Sequence, residues 1–313
     1  MSEAPFDHVL IVGFGGATNL EEVEPFLKHV AEGGEVPEER INLMRLHYEA
    51  IGGRSPYNDY VKTLVQKLKE DLAGRGITVP VFLGMRHWRP FLDDALKEIR
   101  DRGLKRGLCL GLAAQRSALS LARYKQAIQD SKAASGAESV EHVYLQGWYD
   151  HPLYIEAQAD EVRRAMKGLA PWNRWRAHLL FSSSSVPLDR VGDCPHCDYN
   201  GEFRVSSHLV AAALGQKKWS LSFQSMTGRA SMPWVEPDVN TMLGNLAAEK
   251  KKVVVCVPIG FLFDTVEVLY DLDIAAKERA RELKIKYVRA STVMAHSKFI
   301  VMLGQLIEQK IRG

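Results

Sequence analysis

His8-Val9-Leu10-Ile11-Val12-Gly13-Phe14-Gly15-Gly16 sets the pattern for the whole chain. Four consecutive aliphatic residues closed by a glycine-rich turn read as a strand buried on both faces, the kind that parallel sheets use. The pattern recurs at 79–83, 107–112, 142–146, 178–182, 219–223, 253–258 and 286–289. Between these runs lie stretches of helical periodicity, at 20–31, 57–73, 90–102, 117–135, 154–167, 205–214, 239–246, 266–283 and 294–312. Strand–helix alternation of this kind reads as α/β, with parallel sheets flanked by helices. Eight strands fit one large sheet or two of four. A break at Gly168-Leu169-Ala170-Pro171-Trp172-Asn173, followed by Arg174-Trp175-Arg176, reads as a linker.

The chain has 313 residues, 46% hydrophobic and 25% charged, which suffices for two α/β units with their own cores. A net charge of +3 is too small to argue for nucleic acid. Residues 1–7 lack a basic segment followed by an apolar one, so no secretory signal is expected. The longest apolar stretch, 253–263, is broken by Pro258 and Gly260 and is too short to span a bilayer. Four cysteines make no disulfide scaffold. These features point to the cytoplasm. No helix carries sustained heptads, so a monomer is expected.

Doubly wound sheets bind ligands outside the carboxyl ends of their strands, so chemistry is sought just after each run. Gly13-Phe14-Gly15-Gly16 falls short of a dinucleotide loop, because Thr18 stands where the third glycine belongs. Ser182-Ser183-Ser184-Ser185 lacks the flanking glycines of a nucleophile elbow. Cys194 and Cys197 form a Cys-x-x-Cys pair, which could grip a metal but lacks two further ligands for a closed zinc site. Glu267, Tyr270, Asp271 and Asp273 cluster on one helix; the helix begins near a strand end, so Glu267 is expected to face the ligand.

Several strings, in order, resemble the ferrochelatase family. Asn19 to Leu27 resembles its first helix, and Ile51-Gly52-Gly53-Arg54-Ser55-Pro56 its Ile-Gly-Gly-x-Ser-Pro segment. Gly84-Met85-Arg86-His87-Trp88-Arg89-Pro90-Phe91 resembles a strand-end motif of the first half. Trp148 with His151-Pro152 resembles the segment before the crossover. Gln224-Ser225, Gly228-Arg229 and Pro233-Trp234 resemble a signature of the second half. Pro258-Ile259-Gly260-Phe261 followed by Glu267 to Asp273 resembles the last large motif.

The resemblance implies two Rossmann-like, type II chelatase-like halves, 1–170 and 171–293, facing a porphyrin cleft. Residues 294–313 would form a helix packing back on the first half. It implies insertion of Fe²⁺ into, or its removal from, a porphyrin, with tetrapyrrole and metal as substrates or ligands and no further cofactor required. On this reading Phe14, Arg54, Ser55, Gln115, Arg116, Gln224, Arg229 and Trp234 contact porphyrin or haem. Glu267 serves catalysis and metal, and Cys194 with Cys197 offers a separate metal site. The sequence also departs from the family. Ser184 stands where the family has its catalytic histidine, Gln115 replaces a second histidine, Phe14 replaces a frequent tyrosine, and Asp264-Thr265 stands for Asp-His. Imidazole and phenol give way to groups that neither ligate ferrous iron well nor move protons near neutral pH. Two readings follow: a chelatase with altered chemistry centred on Glu267, or a non-catalytic protein that stores, delivers or senses porphyrin.

Overall fold

The run that opens the pattern forms β1 (His8–Gly13), buried along its whole length. The computed structural model describes residues 5–116, 122–186, 198–225 and 234–313. The chain divides into two compact units, each with one parallel four-stranded sheet.

The first unit comprises 1–113, 119–147 and 295–313. Its elements are β1, α1 (Val23–Val30), α2 (Glu38–Ala50), α3 (Tyr57–Gly74), β2 (Val81–Met85), α4 (Leu92–Asp101), β3 (Arg106–Gly111), α5 (Arg123–Ser135) and β4 (Glu141–Leu145), with a C-terminal helix. The strand order is β2-β1-β3-β4. Alternate residues of β1 serve opposite faces. Leu10 and Val12 join Leu92, Leu96 and Ile99 of α4 and Ile128 of α5 in one core cluster. The C-terminal helix packs on α3, where Arg75 donates to Glu308 at 2.8 Å and to Asp71 at 2.6 Å.

The second unit comprises 114–118 and 148–294. Its elements are α6 (Pro152–Met166), α7 (Pro171–Arg176), β5 (His178–Ser184), α8 (Tyr199–Ala213), β6 (Trp219–Gln224), α9 (Val239–Ala248), β7 (Val253–Val257), a π-helix (Val268–Ala275), α10 (Ala276–Glu282) and β8 (Lys286–Arg289). The last helix of the first unit is α11 (Ser297–Arg312). The sheet order is β6-β5-β7-β8. Leu180, Val254 and Cys256 pack with Leu243 of α9, Leu272 of the π-helix and Ala276 and Ala280 of α10.

All eight expected strands are present, in two sheets. Three features differ from the sequence reading. The first unit gives way at Trp148, because α6 packs on α8 and β7 of the second sheet. The segment read as a linker is the helix α7. Helix α2 went unread because its polar and apolar residues are mixed around the axis, leaving Leu43 and Leu46 exposed.

At the amino ends of the first sheet, Asp7 accepts from His8 Nδ1 at 2.6 Å, and the two Nε2 atoms of His8 and His142 lie 3.0 Å apart. Nδ1 of His142 is buried and, among the described residues, has no partner. Burial first, then Lys132 and His8, pushes His142 down to about 3; burial also lowers His8, against the pull of Asp7. Both folded values lie below the ordinary 6.5. Their stabilisation is therefore complete above pH 6.5 and is lost as pH falls toward the folded values, because the unfolded chain takes up protons first. Urea unfolding followed by circular dichroism is expected to show the first unit losing on the order of 2 kcal/mol between pH 7 and pH 5. Replacement of His142 by Gln removes most of that pH dependence.

Candidate active site

In the second unit the site lies at the carboxyl ends of β5 and β6. Ser184, the last residue of β5, is the register partner of Gln224, the last residue of β6. The serine run is held by hydrogen bonds. Ser182 Oγ donates to Gln224 Oε1 at 2.7 Å, and Ser185 Oγ donates to the Val235 carbonyl at 2.8 Å. Ser183 Oγ pairs with the Tyr199 hydroxyl, which also donates to the Ser184 carbonyl at 3.1 Å. Among the described residues, Ser184 Oγ reaches only the Ser185 carbonyl, at 3.3 Å, and the side chain is half-buried. Gly260 donates its N–H to the Ser182 carbonyl. A Cβ at Gly260 would fall 2.7 Å from Ser183 Cα, so only glycine permits that approach.

The acids come from the π-helix. It follows β7, yet Asp271 accepts the N–H of Ser225, just past β6, at 2.9 Å. Since β5 lies between β7 and β6, the helix passes the end of β5, where Ser184 sits. Ser225 has φ +66°, a left-handed conformation that turns its N–H toward the carboxylate. Burial, with the nearby Glu267, raises Asp271 to about 6 despite the Ser225 hydrogen bond. Glu267, one residue before the π-helix, is half-buried. A π-helix has wider turns than an α-helix, is rare, and is frequently found at functional sites.

The other two acids near this helix serve structure. Arg289, the last residue of β8, donates to Asp273 at 2.6 and 2.7 Å and to Asp264 at 3.1 Å from each of two nitrogens. Thr292 adds a 3.0 Å bond to Asp264. Burial alone would lower the guanidinium, but Asp273 and Asp264 outweigh it and hold Arg289 above its ordinary value.

Gln115 is buried, with Nε2 3.3 Å from Ser206 Oγ. Arg116 is committed to the buried Glu202, its N–H and Nε each 2.6 Å from a carboxylate oxygen. Gln224 is buried and, among the described residues, its Nε2 has no partner. Trp234 is half-buried. Arg229, Cys194 and Cys197 lie outside the described residues. Among the described residues, no group of three or more His, Cys, Asp or Glu is placed to hold a metal.

The first unit has its own strand-end loop. Phe14 donates its N–H to the buried Tyr57 hydroxyl at 2.9 Å, and its ring meets the His87 ring edge-on at 4.6 Å. Gly15 has φ +99°, and a Cβ there would stand 2.8 Å from the Trp88 nitrogen. Ser55 is buried under this loop and donates its N–H to the Ala17 carbonyl. Arg54 is exposed and paired with Asp59. Burial, then Arg86, pushes His87 down to about 4, so its ring is neutral at pH 7. Beside it a cavity of about 230 Å³ is lined by Arg86, Arg123, Glu32 and Asp130. Glu32 bridges both guanidiniums, so that cavity is close to charge-balanced.

Sequence reasoning singled out Ser184 and Glu267. It noted Asp271 only as one of a cluster and missed Tyr199. The available signal for Tyr199 was its position at the start of a helix, since helices in this topology begin at the strand carboxyl ends.

The structure of SirB from Bacillus subtilis with Fe³⁺ superposes with a TM-score of 0.56 at 12% identity, covering 98% of this chain and 96% of that one. A second, the sirohydrochlorin chelatase SirB from Bacillus subtilis subspecies spizizenii with cobalt, gives 0.51 at 12% identity, with 98% and 94% covered. The fold is thus that of the α/β chelatases. The ferrochelatase family matches residues 7–311. A coproporphyrin III ferrochelatase of Mycolicibacterium smegmatis is 35% identical over 308 residues, covering 98% of this chain and 91% of the relative. A ferrochelatase of Rhodopirellula baltica is 36% identical over 317 residues, covering 99% and 88%. The chain belongs to the ferrochelatase family.

Proposed function

We propose that the chain inserts Fe²⁺ into a porphyrin, with Glu267 and Asp271 taking over the proton transfer that the family assigns to a histidine. The carrying observation is the carboxylate of Asp271, raised to about 6 and held on the Ser225 amide beside the end of β5. Insertion of a divalent metal releases two pyrrole N–H protons from the macrocycle. Two carboxylates four residues apart supply one acceptor for each. A base is most effective when its pKa lies near the working pH, and burial has moved Asp271 in that direction. The porphyrin brings four nitrogen ligands of its own, so a full set of protein ligands is unnecessary. Binding that distorts the ring would expose those nitrogens to the metal.

Coproporphyrin III is the first substrate to try, because relatives bear that name. The expected setting is the cytoplasm, and no described helix is long and apolar enough to cross a membrane.

Ser184 supports a second reading. Its hydroxyl stands where the family has imidazole and is turned onto a neighbouring carbonyl. Serine stays protonated and is a weak ligand for ferrous iron. A protein that binds porphyrin without turnover fits that observation. One anaerobic experiment separates the two: coproporphyrin III or protoporphyrin IX is mixed with the protein, with and without Fe²⁺, and the absorption spectrum is followed. Metalloporphyrin formed well beyond one equivalent supports insertion. A saturable one-to-one shift without turnover supports binding alone, and no shift with either porphyrin overturns both. Under the insertion reading, the rate falls as pH drops through about 6, as Asp271 takes up its proton. Asp271→Asn abolishes that limb and slows insertion on the order of ten-fold or more.

A further inference from the structure

The amino-terminal edge of the second sheet lies at the other end of the strands from Ser184 and Asp271. Each strand is entered there from a cation: Arg176 before β5, Lys217 and Lys218 before β6, Lys252 before β7 and Lys284 before β8. The sheet is parallel, and its register pairs Leu179 with Trp219, His178 with Val254 and Val253 with Lys286. The five cations therefore stand along one edge. Four strands about 4.8 Å apart make that row roughly 15 Å wide. All five are exposed. Among the described residues none is within ion-pair distance of a carboxylate; the acids of this edge, Glu249 and Glu282, pair with Lys251 and Arg279.

Helix α7 sits on the same edge and carries the two most exposed large apolar side chains of the described residues, Trp172 at 66% and Trp175 at 74%. They are three residues apart and so share a face. Nζ of Lys218 lies 5.0 Å from the centre of the Trp175 ring, which ties the helix to the cationic row. Arg174 fixes the helix by donating to the carbonyls of Leu169 and Lys167, each at 2.8 Å. The indoles are thus presented on an anchored element.

We propose that this edge docks reversibly on an anionic phospholipid surface, with Trp172 and Trp175 in the headgroup layer and the cationic row over lipid phosphates. Charge complementarity selects an anionic partner. The indoles select a bilayer among such partners, since an amphipathic ring flanked by basic side chains is the usual anchor at the membrane–water boundary. A nucleic-acid strand would instead call for a basic groove that tracks its backbone, with bases stacked on aromatic side chains. These cations follow the strand starts of a sheet, and the two indoles project together from one helix. No described helix spans a membrane, so the attachment is peripheral.

The test uses the full chain and vesicles of phosphatidylcholine, with or without about a third phosphatidylglycerol. The protein is expected to co-sediment with the anionic vesicles only, its tryptophan emission shifting to the blue. Binding weakens on the order of ten-fold between about 0.05 and 0.5 M salt. Trp172→Ser with Trp175→Ser, and separately Lys217→Glu with Lys218→Glu, each weaken it by about ten-fold or more while the unfolding midpoint stays put. The blue shift is absent from the tryptophan variant. Failure to bind anionic vesicles overturns the proposal, as does binding that neither pair of substitutions changes. Capture of a short RNA without vesicle binding also overturns it and reassigns the edge to nucleic acid.

Discussion

Glu267→Gln is expected to lower the rate of Fe²⁺ insertion by on the order of 10²-fold or more, with porphyrin affinity little changed. Glutamine keeps the shape and the half-buried position but cannot accept a proton. The effect is expected to exceed that of losing a surface acid because the proposed site has a serine hydroxyl, a poor base, at Ser184, leaving fewer groups to share the work. A second readout makes the test specific. The charge on Glu267 helps raise Asp271, so its removal moves the acid limb of the pH–rate profile below about 6. Burial, the larger cause, stays in place, so the limb remains above the ordinary carboxylate value. Single-turnover kinetics over pH 5–8, with a parallel porphyrin titration, check both. An unchanged rate would remove Glu267 from the chemistry, and a lost affinity with an unchanged rate would make it a binding group.

Arg289→Met is expected to destabilise the second unit by about 3–5 kcal/mol. Methionine fills a similar volume and leaves Asp264 buried without its cation. The cost rests mainly on Asp264, because Asp273 is 37% exposed and water screens part of its charge. Arg289 also ties the π-helix, through Asp273, to the end of β8, so the loss reaches the site. Loosening that tie is expected to detach Asp271 from the Ser225 amide and slow insertion. Arg289→Lys restores part of the stability but only one point contact, since lysine lacks the planar fork that reaches both acids. Denaturant midpoints for the two variants, read with a probe in the second unit, decide the matter. Equal stability of Arg289→Met and the parent chain would refute it.

The strands were legible because burial on both faces writes itself as local runs such as Val9 to Val12 and Val253 to Val257. The glycines at 13, 15 and 260 marked where backbones approach closely, and the ordered family strings marked the ancestry. The serine run at 182–185 was legible at a strand end, because it is a matter of residue identity directly after an apolar run. Helix α7 was read as a linker because six residues give too short a window for helical periodicity. The boundary at Trp148 was hidden because it depends on which sheet α6 packs against.

The acids show the limit most clearly. Asp271 and Asp273 are two residues apart and chemically identical, yet one lies on the Ser225 amide and the other on Arg289. No local pattern separates them. Their roles follow from the π-helical path and from crossovers that bring residue 225 beside 271 and residue 289 beside 264. The sequence by itself determined the eight strands and the α/β class, both of which are properties of short segments. The tertiary structure decided which carboxylate is lifted toward neutral pH and which is spent on an ion pair, because burial and charge proximity arise only when distant strand ends meet.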